Sequence, residues 1–407
     1  MKILQVLTYY RPWTSGLTIY VERLSKALAQ LGHDVTVLTS QYDPDLPRYE
    51  VVDGVKVVRI PVALRVSKGV IMPSFGPMAW KLAQRADAIQ LHLPQFDAPG
   101  VALRGRLLRK PVVLTYHCDL TLPEGAFNRF VDNIVLLMNR AAGSVAHAVA
   151  TYTRDYGENS PYLSLYLGHK LKVIPPPVEL ADCTTAEAAA FHARHQLGNH
   201  PIIGICTRLA TEKGVEILLR ALPIVMEAFP DVRVLHAGQY QNVLGEEAYA
   251  ARLAPLFAKY AAQYTLLGNL NGAELTAFYK NIDVLTIPSL NSTESFGLVQ
   301  IEAMQNGVPV VSSNLPGVRQ PVTMTGMGEV VAIGDHEALA AALIRVLRDK
   351  AAYVRSPELI GASFAPLQTA VEYLSLFADL QNGRFDPAPT EPAAYTQLRT
   401  MRDAWSR

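Results

Sequence analysis

The chain is short of cysteine, of net charge and of long apolar runs, and each shortage removes a class of protein. Cys118, Cys183 and Cys206 are its three cysteines in 407 residues. They share no metal-ligand spacing and form no even-numbered framework, which argues against a disulfide scaffold or zinc module and for a reducing, cytoplasmic compartment. The net charge of +1 does not advertise nucleic acid as a partner. No apolar run approaches the roughly eighteen residues of a membrane span. The opening MKILQVLTYYRPW has too short an apolar stretch for a secretory signal. No GxGxxG follows a strand pattern, so the dinucleotide fingerprint is missing, and no short-period repeat is present.

What the chain does have is the composition of a folded protein: half its residues are apolar and 18% are charged. Its length exceeds one ordinary core and suits two domains of about 200 residues. Short apolar runs alternate with amphipathic stretches. Strands are expected at Ile3–Thr8, Asp34–Thr39, Val55–Ile60, Ala88–Leu93, Val112–Tyr116, Ser144–Thr151 and Lys172–Ile174, with helices at Gly16–Leu31 and Phe127–Ala142 among them. The run Ile174-Pro-Pro-Pro-Val178 resists helix and central strand alike and marks a boundary after Pro177. The alternation then restarts, with strands at Ile202–Thr207, Arg233–Ala237, Tyr264–Leu267, Val284–Pro288, Val308–Ser312 and Glu329–Ile333. The expected fold is α/β, two Rossmann-like domains (residues 1–177 and 178–366) facing each other across a ligand cleft at the carboxyl ends of their strands. A helix near Leu367–Leu380 is expected to return to the first domain, and residues 381–407, rich in proline, to form a loose tail.

Chemistry is expected at those carboxyl ends. In STESFGLVQIEAM, Glu294 follows a strand, Ser295 is a candidate cap, and Glu302 lies eight positions on. On one helix that spacing amounts to about 80° and about 12 Å, too far for paired acid and base on one glycosidic bond but suited to two grips on a long ligand. The pattern equally admits a capping carboxylate and an ordinary helix residue. Arg208 and Lys213, in TRLATEKG, leave one strand and open the next helix, where a diphosphate or a surface ion pair would account for them. Gly16, in PWTSGL, is a backbone approach point or a turn glycine, and Gly238 either clears space for a base or phosphate or turns the chain. His117 ends a strand beside Cys118 and Asp119, without a fourth ligand for a metal. Asp43-Pro44-Asp45 is turn chemistry.

The ordered set Arg208, Lys213-Gly214, Glu294…Glu302, GVPVV (Gly307–Val311) and PGVR (Pro316–Arg319), with His117 and the early glycine loop, resembles the retaining GT-B glycosyltransferases of glycosyltransferase family 4 over most of residues 1–380. The resemblance implies transfer of a sugar from a nucleoside-diphosphate donor, UDP- or GDP-linked, with retention at the anomeric carbon by same-face attack. It places Glu302 on the ribose hydroxyls, Glu294 on the donor sugar, Arg208 and Lys213 on the leaving diphosphate, and His117 near the donor sugar. Phe296, Gly297, Leu298 and Val299 would line phosphate and ribose, with backbone near Leu267 and Gly268 toward the base. It implies no cofactor and no essential metal, since the two cations replace one. Two positions depart from the family pattern: the early glycine pair is here Ser15-Gly16, and a basic pair after the last strand of the first domain is Thr153-Arg154.

For the acceptor, Leu64–Arg85 carries Arg65, Lys68, Lys81 and Arg85 among apolar residues with no acid, and Val101–Lys110 reads VALRGRLLRK. Basic amphipathic surfaces sit on anionic lipid. The expected partners are therefore a nucleotide sugar and an anionic membrane surface or lipid-linked acceptor, with the protein peripheral on the inner face of the cell membrane. Two other readings stand beside this one: a synthase for a small soluble saccharide, and a non-catalytic nucleotide-sugar-binding protein.

Overall fold

The computed structural model describes residues 1–66, 69–120, 126–243, 245–386 and 391–405. The chain forms two compact units, residues 1–177 with 364–392, and residues 178–363 with 393–407. Among the described residues no helix is long and apolar enough to cross a membrane.

The first unit is built on an eight-stranded sheet. Its strands, with a side hairpin, are β1 (Lys2–Val6), β2 (Asp34–Gln41), β3 (Tyr49–Val52), β4 (Val55–Pro61), the hairpin β5 (Leu64–Val66) and β6 (Gly69–Ile71), β7 (Ala88–Leu93), β8 (Val112–Tyr116), β9 (Ala148–Thr151) and β10 (Leu171–Val173). The sheet order is β10-β9-β8-β7-β1-β2-β4-β3. All neighbours run parallel except β3, which is antiparallel to β4. Every residue of β7 and β8 is buried, as expected of parallel strands covered on both faces. Helix Gly16–Gln30 starts where the Ser15 side chain accepts from the Thr18 N–H at 3.2 Å. The strand expected from Ser144 begins later, because helix Ala126–Val145 continues through Val145. Helix Pro366–Gln381 belongs to this unit: the Tyr373 hydroxyl lies 2.8 Å from that of Tyr20, and Thr369 Oγ1 donates to the Pro175 carbonyl at 2.9 Å.

The second unit carries β11 (Ile202–Cys206), β12 (Arg233–Ala237), β13 (Tyr264–Gly268), β14 (Val284–Ile287), β15 (Val310–Ser313) and β16 (Gly328–Val331), in the order β13-β12-β11-β14-β15-β16. All neighbours are parallel. Its first helix, Thr185–Arg194, opens with a reciprocal capping box between Thr184 and Glu187.

The expected loose tail needs correction. Residues Ala393–Trp405 form a helix of the second unit, with Tyr395 and Leu398 fully buried and Arg402 Nη1 donating to the Thr323 carbonyl at 2.6 Å. Tyr395 and Leu398 lie one turn apart and anchor one face of the helix; average composition hides them. The basic stretches also gain definition. Helix Phe75–Arg85 buries Phe75, Ala79 and Ala83 and exposes Lys81 and Arg85. Helix Ala98–Leu107 buries Val101, Ala102 and Gly105. Lys68 lies outside the described residues.

Candidate active site

At the carboxyl edge of the second sheet, the loops are tied backbone to backbone. The Thr207 N–H donates to the Ala237 carbonyl at 2.8 Å, Leu209 N–H to Gln239 at 2.8 Å and Gly238 N–H to Gly268 at 2.7 Å. Gly238 has φ of 132°, and a Cβ there would stand 2.0 Å from the Thr207 carbonyl oxygen. The neighbouring backbone is by itself enough to require glycine here. Leu267 is half-buried on β13 beside these contacts.

A second contact joins the loops after β11 and β14. Leu290 N–H donates to the Glu212 carbonyl at 2.9 Å. Gly214, at φ 64°, lies so close that a Cβ would be 2.1 Å from the Pro288 carbonyl oxygen. This clamp brings residues 81 positions apart into register: Lys213 Nζ donates to Glu294 Oε2 at 2.6 Å, with side chains 17% and 21% exposed. Arg208 pairs with Glu212 on its own loop and remains more open. The second unit therefore places two cations and two carboxylates at adjoining strand ends, where doubly wound sheets bind ligands.

Glu302 lies further along the chain, on the helix that follows. The helix expected to start near Phe296 or Gly297 begins at Leu298, and its cap is Gly297 at φ 76°, not Ser295. Glu294 thus lies in the loop before the helix, and the arithmetic of a shared helix does not relate the two glutamates. Phe296 is buried and anchors the loop, while Leu298 and Val299 are half-buried. Glu302 is buried, and the fully buried Tyr279 hydroxyl donates to its Oε2 at 2.8 Å. Burial, Cys206 and the Glu302 carboxylate raise the Tyr279 phenol well above its ordinary value, so it stays a donor. Burial and then the Glu302 charge push the Cys206 thiol up to about 12, leaving it protonated and unreactive at neutral pH. Sequence reasoning missed Tyr279; its helix is recognisable, but nothing local ties it to residue 302.

In the first unit, Gly16 and His117 lie in contrasting surroundings. Gly16 is the first residue of its helix, and a Cβ there would meet nothing within 4 Å. No protein atom makes glycine necessary there, and an approaching ligand would need the same open space. His117 is buried, and both its ring nitrogens are engaged: Nε2 lies 3.0 Å from His92 Nδ1, and Nδ1 contacts the Tyr152 hydroxyl. Tyr152 donates to His117 Nδ1, His117 Nε2–H to His92, and His92 Nε2–H to Gln5 Oε1 at 2.7 Å. From there Gln5 Nε2 donates to Gln90 Oε1 at 3.0 Å and Gln90 Nε2 to Thr115 Oγ1 at 2.7 Å. Thr115 lies 2.9 Å from the Tyr373 hydroxyl. This direction satisfies both imidazoles as neutral rings. Burial holds His117 down at about 3, and burial with the neighbouring His117 holds His92 well below its usual range. Contact with a donor sugar would require one of these bonds to break. Asp119 accepts from the Tyr116 hydroxyl at 2.9 Å and Ser160 Oγ at 2.7 Å, and Asp43 Oδ1 accepts from Asp45 N–H at 3.1 Å, a turn contact. Arg154 pairs with Glu158 on an exposed helix face.

Two family models match the chain: "Glycosyl transferase 4-like domain" over residues 15–176 and "Glycosyl transferases group 1" over residues 188–358. A phosphatidyl-myo-inositol mannosyltransferase of Mycolicibacterium smegmatis is 28% identical over 366 residues, covering 87% of each chain. Among solved structures, sucrose-phosphate synthase from Thermosynechococcus elongatus superposes with a TM-score of 0.74 at 23% identity, over 94% of this chain and 99% of that one. The Anabaena protein HepE in complex with UDP-glucose gives 0.72 at 17% identity, over 93% and 100%. The parallel sheets, the clamp at their carboxyl edge and these matches lead to one assignment: the chain belongs to the group 1 glycosyltransferases and has their GT-B fold of two Rossmann-like domains.

Proposed function

We propose that the protein is a retaining glycosyltransferase that moves a sugar from a UDP- or GDP-linked donor to a hydroxyl of a lipid or lipid-linked acceptor, without an essential metal ion. The observation that carries the reading is the Lys213–Glu294 pair, held by the clamp between the loops after β11 and β14. Breaking the bond from the anomeric carbon to the diphosphate oxygen leaves growing negative charge on the diphosphate. Cations fixed before the reaction lower that barrier most, because they need no reorganisation. Lys213, positioned by Glu294, and Arg208, on an open arm, are the groups suited to receive it. The acceptor oxygen then bonds the anomeric carbon on the face the diphosphate leaves, and the acceptor proton passes to a diphosphate oxygen. Glu302, oriented by Tyr279, is assigned to the ribose hydroxyls. His117 is assigned to holding the end of β8 through its buried bonds rather than to gripping the donor.

The UDP-glucose complex of HepE supports a nucleotide-sugar donor, and the mannosyltransferase relative, named for phosphatidyl-myo-inositol, supports a lipid acceptor. The exposed basic residues of helix Phe75–Arg85 support peripheral attachment to an anionic membrane surface. The test is a panel of UDP- and GDP-sugars with EDTA present, offered with phosphatidylinositol vesicles and with soluble saccharide acceptors, reading nucleoside-diphosphate release and product anomer. Transfer to lipid with retained configuration is expected. An inverted product, a strict metal requirement or transfer confined to soluble saccharides would overturn the corresponding part.

A further inference from the structure

The first sheet has an opposite edge, where its strands begin, and a recess of about 400 Å³ opens there. Asp87 precedes β7, Lys110 precedes β8 and His147 precedes β9, and all three line it with Arg106, Arg109 and Gln381. β8 is five residues long, so this edge lies about 16 Å from the His117 end of the same strand. The recess is therefore not part of the carboxyl edge at which such sheets bind ligands.

Its charge is unbalanced. Arg106, Arg109 and Lys110 have no carboxylate partner among the described residues. The acid present, Asp87, already accepts from the Lys2 backbone N–H at 2.7 Å, and Gln381 Nε2 donates to the Asp87 carbonyl at 3.2 Å. His147 Nδ1 accepts from the Val112 N–H at 3.0 Å, so the neutral ring carries its proton on Nε2. Lys170 stands close by, bound to the Gly143 and Ser144 carbonyls at 3.0 and 2.8 Å. Cations at the end of helix Ala98–Leu107 gain something from its dipole, but that does not explain why they gather around a recess with a ring N–H donor. Like charge is concentrated here: burial, then Arg106 and Lys170, press His147 down to about 4, and burial, then Arg106, lower Lys170.

We propose that this recess is a second binding site, for a phosphate group, held by Arg106, Arg109 and Lys110 with His147 Nε2–H as a neutral donor. A bidentate guanidinium suits phosphate oxygens, and the volume admits a phosphomonoester or a phosphodiester headgroup but not an extended polymer. The ligand is either a soluble phosphate or the headgroup of an anionic lipid.

The experiment follows His147 by ¹⁵N-edited NMR of the histidine rings in the full chain, assigned with His147→Asn, at fixed ionic strength in chloride or inorganic phosphate. Bound phosphate favours the imidazolium and should raise the His147 midpoint by about one pH unit or more. The double variant R106Q/R109Q, which changes two exposed side chains, should lose that response. Co-sedimentation with phosphatidic acid vesicles, against phosphatidylcholine, separates the sources. A phosphate response without vesicle binding assigns a soluble ligand, and vesicle binding reduced at least tenfold in R106Q/R109Q assigns a lipid headgroup. An unmoved His147 midpoint, together with equal vesicle binding by the two proteins, overturns the proposal.

Discussion

Acid should destabilise the N-terminal unit through one buried ring. His117 titrates near 6.5 when the chain is unfolded, but burial in the folded unit holds it down at about 3. Between those values the unfolded chain binds a proton that the folded one refuses. Stability is therefore full above about pH 6.5 and falls as pH drops below it, until the folded ring also takes up its proton. At pH 5 the difference spans about 1.5 pH units at about 1.4 kcal/mol each, or about 2 kcal/mol for His117 alone. Protonation would also break the hydrogen-bond direction, because an imidazolium cannot accept from Tyr152.

The perturbation that isolates this ring is His117→Gln, which keeps a donor toward His92 and removes the titration. His92 is also held well below its ordinary value, and it contributes to the pH slope of both proteins. The assay is urea unfolding by tryptophan fluorescence in a Trp405→Phe background, since the two remaining tryptophans, Trp13 and Trp80, both lie in the N-terminal unit. The variant is expected to start less stable at pH 7, yet to lose about 2 kcal/mol less than the parent between pH 7 and pH 5. Equal losses in the two proteins would refute the argument, because a neutral buried His117 cannot be silent in that window.

Other consequences concern the second unit. Lys213→Ala removes the cation held by Glu294 and should lower kcat by about 10²–10³-fold; a loss below tenfold in steady-state turnover would remove Lys213 from the diphosphate. Tyr279→Phe deletes the hydroxyl that orients Glu302, with an expected rise in donor KM of about five- to tenfold, near 1 kcal/mol, and kcat little changed; unaltered donor KM would detach Tyr279 from the site. Gly238→Ala forces a Cβ to within 2.0 Å of the Thr207 carbonyl oxygen and should cost at least about 2 kcal/mol; a calorimetric melt matching the parent protein would contradict that close approach.

The sheets and the placing of charged residues at their carboxyl edge were legible in the sequence for the same reason. Apolar runs of four to eight residues divided by amphipathic stretches mark parallel strands, and charged residues just past such runs fall on the carboxyl edge. Arg208, Lys213 and Glu294 obey that rule. Which cation meets which carboxylate was not legible, because the Lys213–Glu294 pair depends on Gly214 resting against Pro288, 74 positions along the chain. The docked helix Ala393–Trp405 escaped for a different reason, since two buried residues, Tyr395 and Leu398, do not lift the composition of its thirteen.

The buried bonds of His117 are the more instructive case, because their signal was present. A strand buried on both faces should read as uninterrupted apolar sequence, yet β7 is AIQLHL and β8 runs VVLTY into His117, with polar residues at alternate positions. Side chains two apart share a face, so Gln90 with His92, and Thr115 with His117, point the same way. The register sets His92 opposite Thr115 and Gln5 opposite Gln90. A period-two polar pattern on three adjoining buried strands can be stable only if its members bond one another, since each unpaired group would cost roughly 1–3 kcal/mol. That requirement selects one register: a slip of one residue would turn every member of the chain to the opposite face. The network that occupies His117 therefore also acts as a device that aligns β1, β7 and β8, and with them the carboxyl edge of the first sheet.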